Sequence, residues 1–175
     1  GYDILFFWVA KMIMMGLENM GDVPFHTVYL HGLIRDKSGE KMSRSKLQAN
    51  VLRPVEPIRD YGVDALRFTL TVGSTPGNDM SLGKDKLDSG RNFANKLWNA
   101  ARFILQNLEI ERLEAKTLEL QPQRIEDRWI DSQLNRLVKN VTGLMEEFQF
   151  SEVEQQIYDF VWSEFCDWYI EIAKI

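Results

Sequence analysis

The chain has one cysteine and two histidines among 175 residues. A lone cysteine, Cys166, leaves no internal disulfide and no cysteine-based zinc cluster within the chain. It stands in Phe165-Cys166-Asp167-Trp168, where a small buried apolar residue is expected rather than a nucleophile. With His26 and His31 alone, a histidine-rich metal site is excluded as well. Net basic charge is also lacking. The formal charge is -5 and the pI about 5.1, which argues against a generally basic nucleic-acid binder, so any RNA contact has to be local. No apolar run is long enough to cross a membrane. The longest, residues 4–17, would span roughly 21 Å as a helix against ~30 Å of hydrocarbon, and it carries Lys11. No GxxxxGK[ST] occurs, which excludes a P-loop nucleotide binder. There is no secretory signal, internal repeat or low-complexity segment. The first residue is Gly rather than Met, so the expectation is a piece of something longer.

The residues that are present describe a soluble globular chain of one large or two small domains, with 45% hydrophobic and 27% charged residues. Asp3 stands one residue before the apolar run, an N-cap position. The helix it opens, residues 4–17, is apolar all round and reads as a buried core helix. Gly21 and Pro24 then break the chain. Val28-Tyr29-Leu30-His31-Gly32-Leu33-Ile34 is short, apolar and bounded by turn signals, so it reads as a buried strand of a parallel sheet in an α/β unit.

Residues 54–57 start a short helix over 58–61 ended by Gly62; Asp64 is placed to cap a second over 65–72, ended by Gly73. Residues 74–83, rich in Ser, Pro, Gly and Asn, read as the boundary between two parts. From Lys84 the pattern is helical. Phe93, Leu97, Ala101, Ile104 and Leu108 make one stripe. Ile130, Leu134, Leu137, Val141, Leu144 and Phe148 make a second beyond a linker containing Pro122. A third helix, opened by a Ser151/Glu154 capping box, carries Ile157, Val161, Phe165, Trp168 and Ile172. Three such helices imply a bundle.

One segment stands out by charge. Residues 35–46 hold five cations and two anions, a local net of +3 in an acidic chain. Within it, Lys41-Met42-Ser43-Arg44-Ser45 sets two cations and two hydroxyls in a polar turn after an apolar run. Lys and Arg are point and fork donors for phosphate oxygens, and Ser hydroxyls bond phosphate or loop backbone. The plain alternative is a solvated basic hairpin.

The surroundings of that segment favour the phosphate reading. Lys41-Met42-Ser43-Arg44-Ser45 resembles the KMSKS motif of class I aminoacyl-tRNA synthetases. Residues 24–33, from Pro24 to Leu33, look like the strand leading into that motif. Asp60-Tyr61-Gly62-Val63-Asp64-Ala65-Leu66-Arg67-Phe68 is similar to the YGADALRF segment of the family. The N-terminal stretch, Gly1 to Met12, and residues 92–103 resemble the valyl branch in particular.

The resemblance implies an α/β C-terminal part of a Rossmann-type catalytic domain over residues 1–75. A helical anticodon-binding bundle, truncated, follows over residues 76–175, so the chain is mostly helical. It implies a ligase that activates valine with ATP to valyl-adenylate and transfers it to tRNA(Val). Lys41 and Arg44 would be the catalytic cations. Gly1, Asp3, His31, Gly32 and the loop residues Lys41, Met42, Ser43, Arg44 and Ser45 would bind ATP, which comes with Mg2+ as a substrate complex. Gly1 would lie beside adenosine, Asp3 on the ribose hydroxyls, and His31-Gly32 would bring backbone near adenine. Asp3 as a plain helix cap and His31 as a satisfied core histidine are the competing readings. Trp8 would help wall a small valine pocket, or pack in the core. No metal site of the chain's own is expected.

The implied parent is a monomeric, cytoplasmic protein without membrane contact, although an organelle stays open as its compartment. Three features depart from the family pattern: Arg44 in place of the second Lys; residues 46–54, longer by two, with a Gly lost and Arg53 where Asp is usual; and Gly77-Asn78-Asp79-Met80 in place of Gly-Gln-Asp-Ile. No HIGH-type motif occurs, so half of the site would lie upstream and the isolated 175 residues are expected to be inactive. Two other readings stay open: an isoleucyl-type synthetase of the same class, and a non-catalytic tRNA- or partner-binding helical module. Against the second, residues 141–175 carry eight acids and one lysine, a surface that repels phosphate.

Overall fold

The computed structural model of the chain describes residues 1–35, 39, 55–107 and 124–175. Two compact units emerge, one formed by Gly1–Leu52 with Gly73–Gly83, the other by Arg53–Val72 with Lys84–Ile175. The segment over 74–83 is not merely a linker, because it returns the chain to the first unit.

The first unit opens with a continuous helical stretch: a 3-10 turn over Tyr2–Ile4, a π-wound turn over Leu5–Val9 and helix α1 over Ala10–Met20. The helix runs past Leu17 and is closed at Gly21. Asp3 lies inside the opening 3-10 turn, whose cap position falls on Gly1, so the expected Asp3 N-cap is corrected. The expected buried core helix is corrected too. None of these residues is buried; Phe6 is 90% exposed and Met20 82%. A helix apolar on every side needs cover on every side, and the described residues do not supply it.

The expected seven-residue strand reduces to β1, Ile34–Arg35, paired in parallel with β2, Met80–Ser81, in the register Ile34 to Met80 and Arg35 to Ser81. The parallel sense agrees with the sequence reading and the length does not. A ladder needs a partner along its whole length, and here only short extended stretches meet. Met80 N–H donates to Leu33 O at 3.0 Å and Leu82 N–H to Arg35 O at 3.3 Å. Upstream, Leu30 O takes a bond from Gly77 N–H at 2.7 Å, and residues 28–33 are in neither strand nor helix.

The second unit is helical: α2 (Val55–Tyr61), α3 (Val63–Thr71), α4 (Lys84–Asn107), α5 (Ile125–Glu146), α6 (Phe150–Asp159), a π-wound stretch over Phe160–Tyr169, and α7 (Ile170–Ala173). Helix α3 begins at Val63 on a Gly62 cap. Asp64 sits in its first turn, 3.3 Å from Arg67, and does not cap it. Helices α3 and α4 pack backbone to backbone at Gly90. A Cβ there would lie 2.7 Å from Ala65 O and 2.9 Å from Thr69 Oγ1. Around that crossing Ala65, Leu66, Thr69, Leu87 and Phe93 are buried, Leu87 completely. Full burial of one such leucine stabilises the fold by about 1.5–3 kcal/mol.

Phe68, Phe93 and Tyr158 join α3, α4 and α6, with centroids 4.8 Å apart for Phe68–Phe93 and for Phe93–Tyr158; Trp162 stacks on Tyr158 at 5.5 Å. Thr71 Oγ1 donates to Glu154 Oε1. This corrects the expected capping box. Helix α6 begins at Phe150, one residue before Ser151, and the Glu154 carboxylate is spent on α3 instead of the helix start.

The stripe over the last helix is altered by its winding. In π geometry each turn takes in an extra residue, so a pattern written for 3.6 residues per turn drifts round the axis. Val153, Cys166 and Ile170 are buried while Trp168 faces out. The buried apolar reading of Cys166 holds. Leu97, Ala101, Ile104, Ile130 and Leu134 line an open groove of about 880 Å³ between α4, α5 and the π-wound stretch. The apolar seam therefore faces itself without closing. Leu108 and the Pro122 linker lie outside the described residues.

Candidate functional site

The first unit gathers four of the expected ligand residues at one place. Gly1 nitrogen lies 2.9 Å from His31 Nε2, and His31 Nδ1 is 2.8 Å from Gly32 O. A carbonyl can only accept, so Nδ1 carries the proton and Nε2 offers its lone pair to the Gly1 N–H. His31 is exposed rather than a core histidine. A Cβ at position 1 would meet Leu33 Cδ2 at 2.6 Å and Asp3 Oδ1 at 2.8 Å, so the Asp3 carboxylate folds back over the glycine. The result is a small cradle. It has bare backbone at Gly1, the exposed Asp3 carboxylate, and the His31 imidazole beside it.

Gly32 has a more immediate use than a ligand. A Cβ there would lie 1.6 Å from Asn78 O and 3.1 Å from Asp79 Cα. Only a residue without a side chain lets the 77–79 turn approach so closely. Trp8 stands apart. It is 56% exposed and meets Phe7 edge-on at 5.6 Å, so it is neither core packing nor, among the described residues, the wall of a closed pocket. Lys41, Met42, Ser43, Arg44 and Ser45 lie outside the described residues.

Three residues that the sequence reading did not select hold the site together. Asp79 Oδ1 accepts from Leu33 N–H at 2.8 Å; Oδ2 accepts from Tyr2 O–H at 3.1 Å and from Arg35 Nε. The Leu33 N–H first, then Arg35 and Tyr2, hold the Asp79 carboxyl below the usual carboxylate range, against the opposing effect of burial. Asp79 in turn raises the Arg35 guanidinium, with Tyr2 adding to it. Arg35 Nη1 also donates to Gly39 O at 2.9 Å. The available signal was charge complementarity: an Asp just before β2 and an Arg at the end of β1. In the sequence they are 44 residues apart. The arrangement can orient and bind. Among the described residues no group of three or more His, Cys, Asp or Glu is placed to hold a metal ion.

Two family models match parts of the chain. Residues 1–83 match the family model described as tRNA synthetases class I (I, L, M and V), and residues 127–175 match that of the anticodon-binding domain of tRNA ligase. The chain belongs to the class I tRNA synthetases. It is 59% identical over 177 residues to the valine–tRNA ligase of Dehalococcoides mccartyi strain CBDB1, a match that takes in 99% of the chain and 19% of that protein. Over 174 residues it is 51% identical to the valine–tRNA ligase of Clostridium acetobutylicum and 52% to that of Symbiobacterium thermophilum, again with 99% and 19% covered. This synthetase chain thus spans about one fifth of the length of the curated relatives it matches. Among solved structures, LeuRS (agnB2) of Agrobacterium radiobacter K84, crystallised as a ternary complex with tRNA and LeuAMS, superposes with a TM-score of 0.66 at 25% identity, over 86% of this chain and 20% of that one.

Proposed function

We propose that the protein carrying this synthetase chain activates valine with ATP, releases pyrophosphate, and transfers the valyl group to tRNA(Val). The observation that carries this reading is the 48–59% identity to valine–tRNA ligases over nearly the whole chain. The cradle of Gly1, Asp3 and His31 supports the nucleoside part. The Asp3 carboxylate accepts from the ribose hydroxyls, and the Gly1 backbone lies beside the adenosine. The valine carboxylate attacks the α-phosphate, and negative charge grows on the leaving pyrophosphate. Lys41 and Arg44, by the motif they resemble, supply cations to that charge, where preorganised positive groups lower the barrier most. ATP enters as its Mg2+ complex. Arg44 keeps the charge of the usual lysine and adds a planar fork for two phosphate oxygens.

On this reading residues 1–75 complete the catalytic domain, and residues 76–175 begin the part that recognises tRNA. The monomeric state and the cytoplasmic location rest on the family resemblance alone. The test is amino-acid-dependent ATP–pyrophosphate exchange. The full-length protein should exchange with valine and not with isoleucine or leucine, and the isolated 175 residues should not exchange at all. Preference for another amino acid, or exchange by the isolated chain, would overturn the assignment.

A further inference from the structure

We propose that a recess between α5, the π-wound stretch and α7 binds a primary alkylammonium group. The site lies wholly within the second unit, and the proposal is independent of the ATP reading.

The recess holds about 320 Å³. It is lined by Trp129 and Gln133 of α5, Ser163, Glu164 and Trp168 of the π-wound stretch, and Ile172 of α7. Local winding brings these residues together. Trp129 and Gln133 stand four apart on an α-helix and so share a face. In π geometry the backbone bond spans five residues, which carries Trp168 over Ser163 as well as Glu164. Winding of this kind recurs at functional sites. Trp168 is 65% exposed, a large aromatic surface that no other ring covers among the described residues.

Glu164 is set apart from its neighbours. Residues 150–175 carry six carboxylates, and five have a partner. Glu152 accepts from Gln156 at 3.2 Å, Glu154 from Thr71, and Asp159 from Gln155 at 3.0 Å. Asp167 pairs with Lys96 at 2.7 Å and Glu171 with Lys174 at 2.5 Å. Glu164 has no partner among the described residues, and its Oε2 is buried in the wall without a donor. That leaves Oε1 as the acceptor. A carboxylate half withdrawn from water and left unpaired is unfavourable, and a cation with N–H donors relieves it.

The rest of the lining selects the class of ligand. Indole faces attract cations more strongly than other aromatic rings do. The side chains of Gln133 and Ser163 make no hydrogen bond among the described residues and offer further acceptors. An ammonium brings three N–H donors to such a set. The two indoles and Ile172 suit a short alkyl chain behind it. An anion is refused, because the lining has no Lys or Arg and residues 141–175 carry eight acids against one lysine. A quaternary ammonium would leave the acceptors unused.

The test is calorimetric binding of n-butylammonium to the full-length protein, with n-butanol as the neutral match. Saturating valine is present, so that the amine does not enter an amino-acid site. Butylammonium should saturate one site, and n-butanol should not bind measurably. Glu164→Gln keeps the size and removes the charge, so it should weaken binding by about 10-fold or more. Trp168→Leu should weaken it by about 2- to 30-fold. Glu152→Gln, an acid outside the recess, should leave it unchanged. Melting is measured alongside. If Glu164→Gln fails to fold, Trp168→Leu carries the test, because that ring is largely exposed.

Nα-acetyl-lysine N-methylamide separates the sources of the amine. Binding as tight as butylammonium's supports a lysine side chain of a partner protein; binding by the free amine alone supports a small molecule. The absence of saturable butylammonium binding overturns the proposal, as does equal binding of n-butanol. So does an affinity that Glu164→Gln and Trp168→Leu both leave within twofold. A loss on Glu152→Gln as large as on Glu164→Gln also overturns it, since the effect would then be general charge.

Discussion

Replacing Gly32 with alanine tests the geometry most severely. The added Cβ would sit 1.6 Å from Asn78 O, 2.5 Å from Asn78 C and 3.1 Å from Asp79 Cα. Ordinary contact begins near 3.4 Å, so the carbonyl must retreat by about 1.8 Å. The obstacle is backbone, and no side-chain rotation can relieve it. Two routes exist. The 77–79 turn can move away, which breaks the Gly77 N–H bond to Leu30 O and carries Asp79 off Leu33 and Arg35. Otherwise the 31–33 backbone moves instead and takes His31 away from Gly1. Either way the cradle around Gly1 or the Asp79 contacts shift by more than 1 Å, and a displacement of that size costs on the order of 100-fold in rate.

The expected result for Gly32→Ala in the full-length protein is thus a loss of ATP–pyrophosphate exchange of about 100-fold or more. Gly83→Ala is the matched control, because a Cβ there meets nothing within 4 Å and the variant should stay near parental activity. A Gly32→Ala protein within threefold of the parent would refute the reasoning, since the close approach would then have no part in holding the site.

Four other outcomes follow from the second unit. Alanine in a helix interior is worth about 1 kcal/mol over glycine, and Gly143 in α5 has open space around it, so Gly143→Ala should raise Tm by about 2–4 °C. Gly90→Ala gains the same propensity but drives a Cβ to 2.7 Å from the Ala65 carbonyl. Overpacking of that kind costs about 1–3 kcal/mol, so Tm should fall, and a rise would show that α3 and α4 yield freely. Burial holds the Glu154 carboxyl above its ordinary value of 4.5, with the Thr71 hydroxyl pulling the other way. Its contribution is then complete below that pH and fades as pH rises through the folded-state value, so Glu154→Gln should flatten the decline of Tm as pH rises above 4.5, and an unchanged slope would count against it. Burial pushes the Cys166 thiol upward as well, so a thiol reagent should label it only after denaturation; rapid labelling of the folded chain would contradict its placement.

Local chemistry was legible and long-range partnership was not. Helix α4 starts at Lys84 as its pattern predicts, and Cys166 is buried as its neighbours predict. Both depend on residues within a turn or two. Ser151 and Glu154 carry a complete capping signature that the fold overrides, because Thr71, 83 residues away, takes the carboxylate. The apolar helix misled for the converse reason. Its composition states a demand for cover, and composition cannot say which atoms meet it. In the candidate site, Gly1, Asp3, His31 and Gly32 were found because their types sit in a recognisable order. Tyr2, Arg35 and Asp79 were not, because each is an ordinary polar residue until the other two are beside it.

The amino-acid order alone determined the family, the mostly helical character of the chain and the parallel sense of the sheet. These follow from short-range patterns, in which spacing along the chain equals spacing in the fold. The tertiary structure alone decided that the sheet is two residues long and that residues 74–83 belong with the N-terminal unit. It alone assigned Gly32 to a backbone approach and made one carboxylate, Asp79, the junction of three segments. Hydrogen bonds and steric exclusion act over about 3 Å in space, and only folding brings residues 44 and 77 positions apart to that distance.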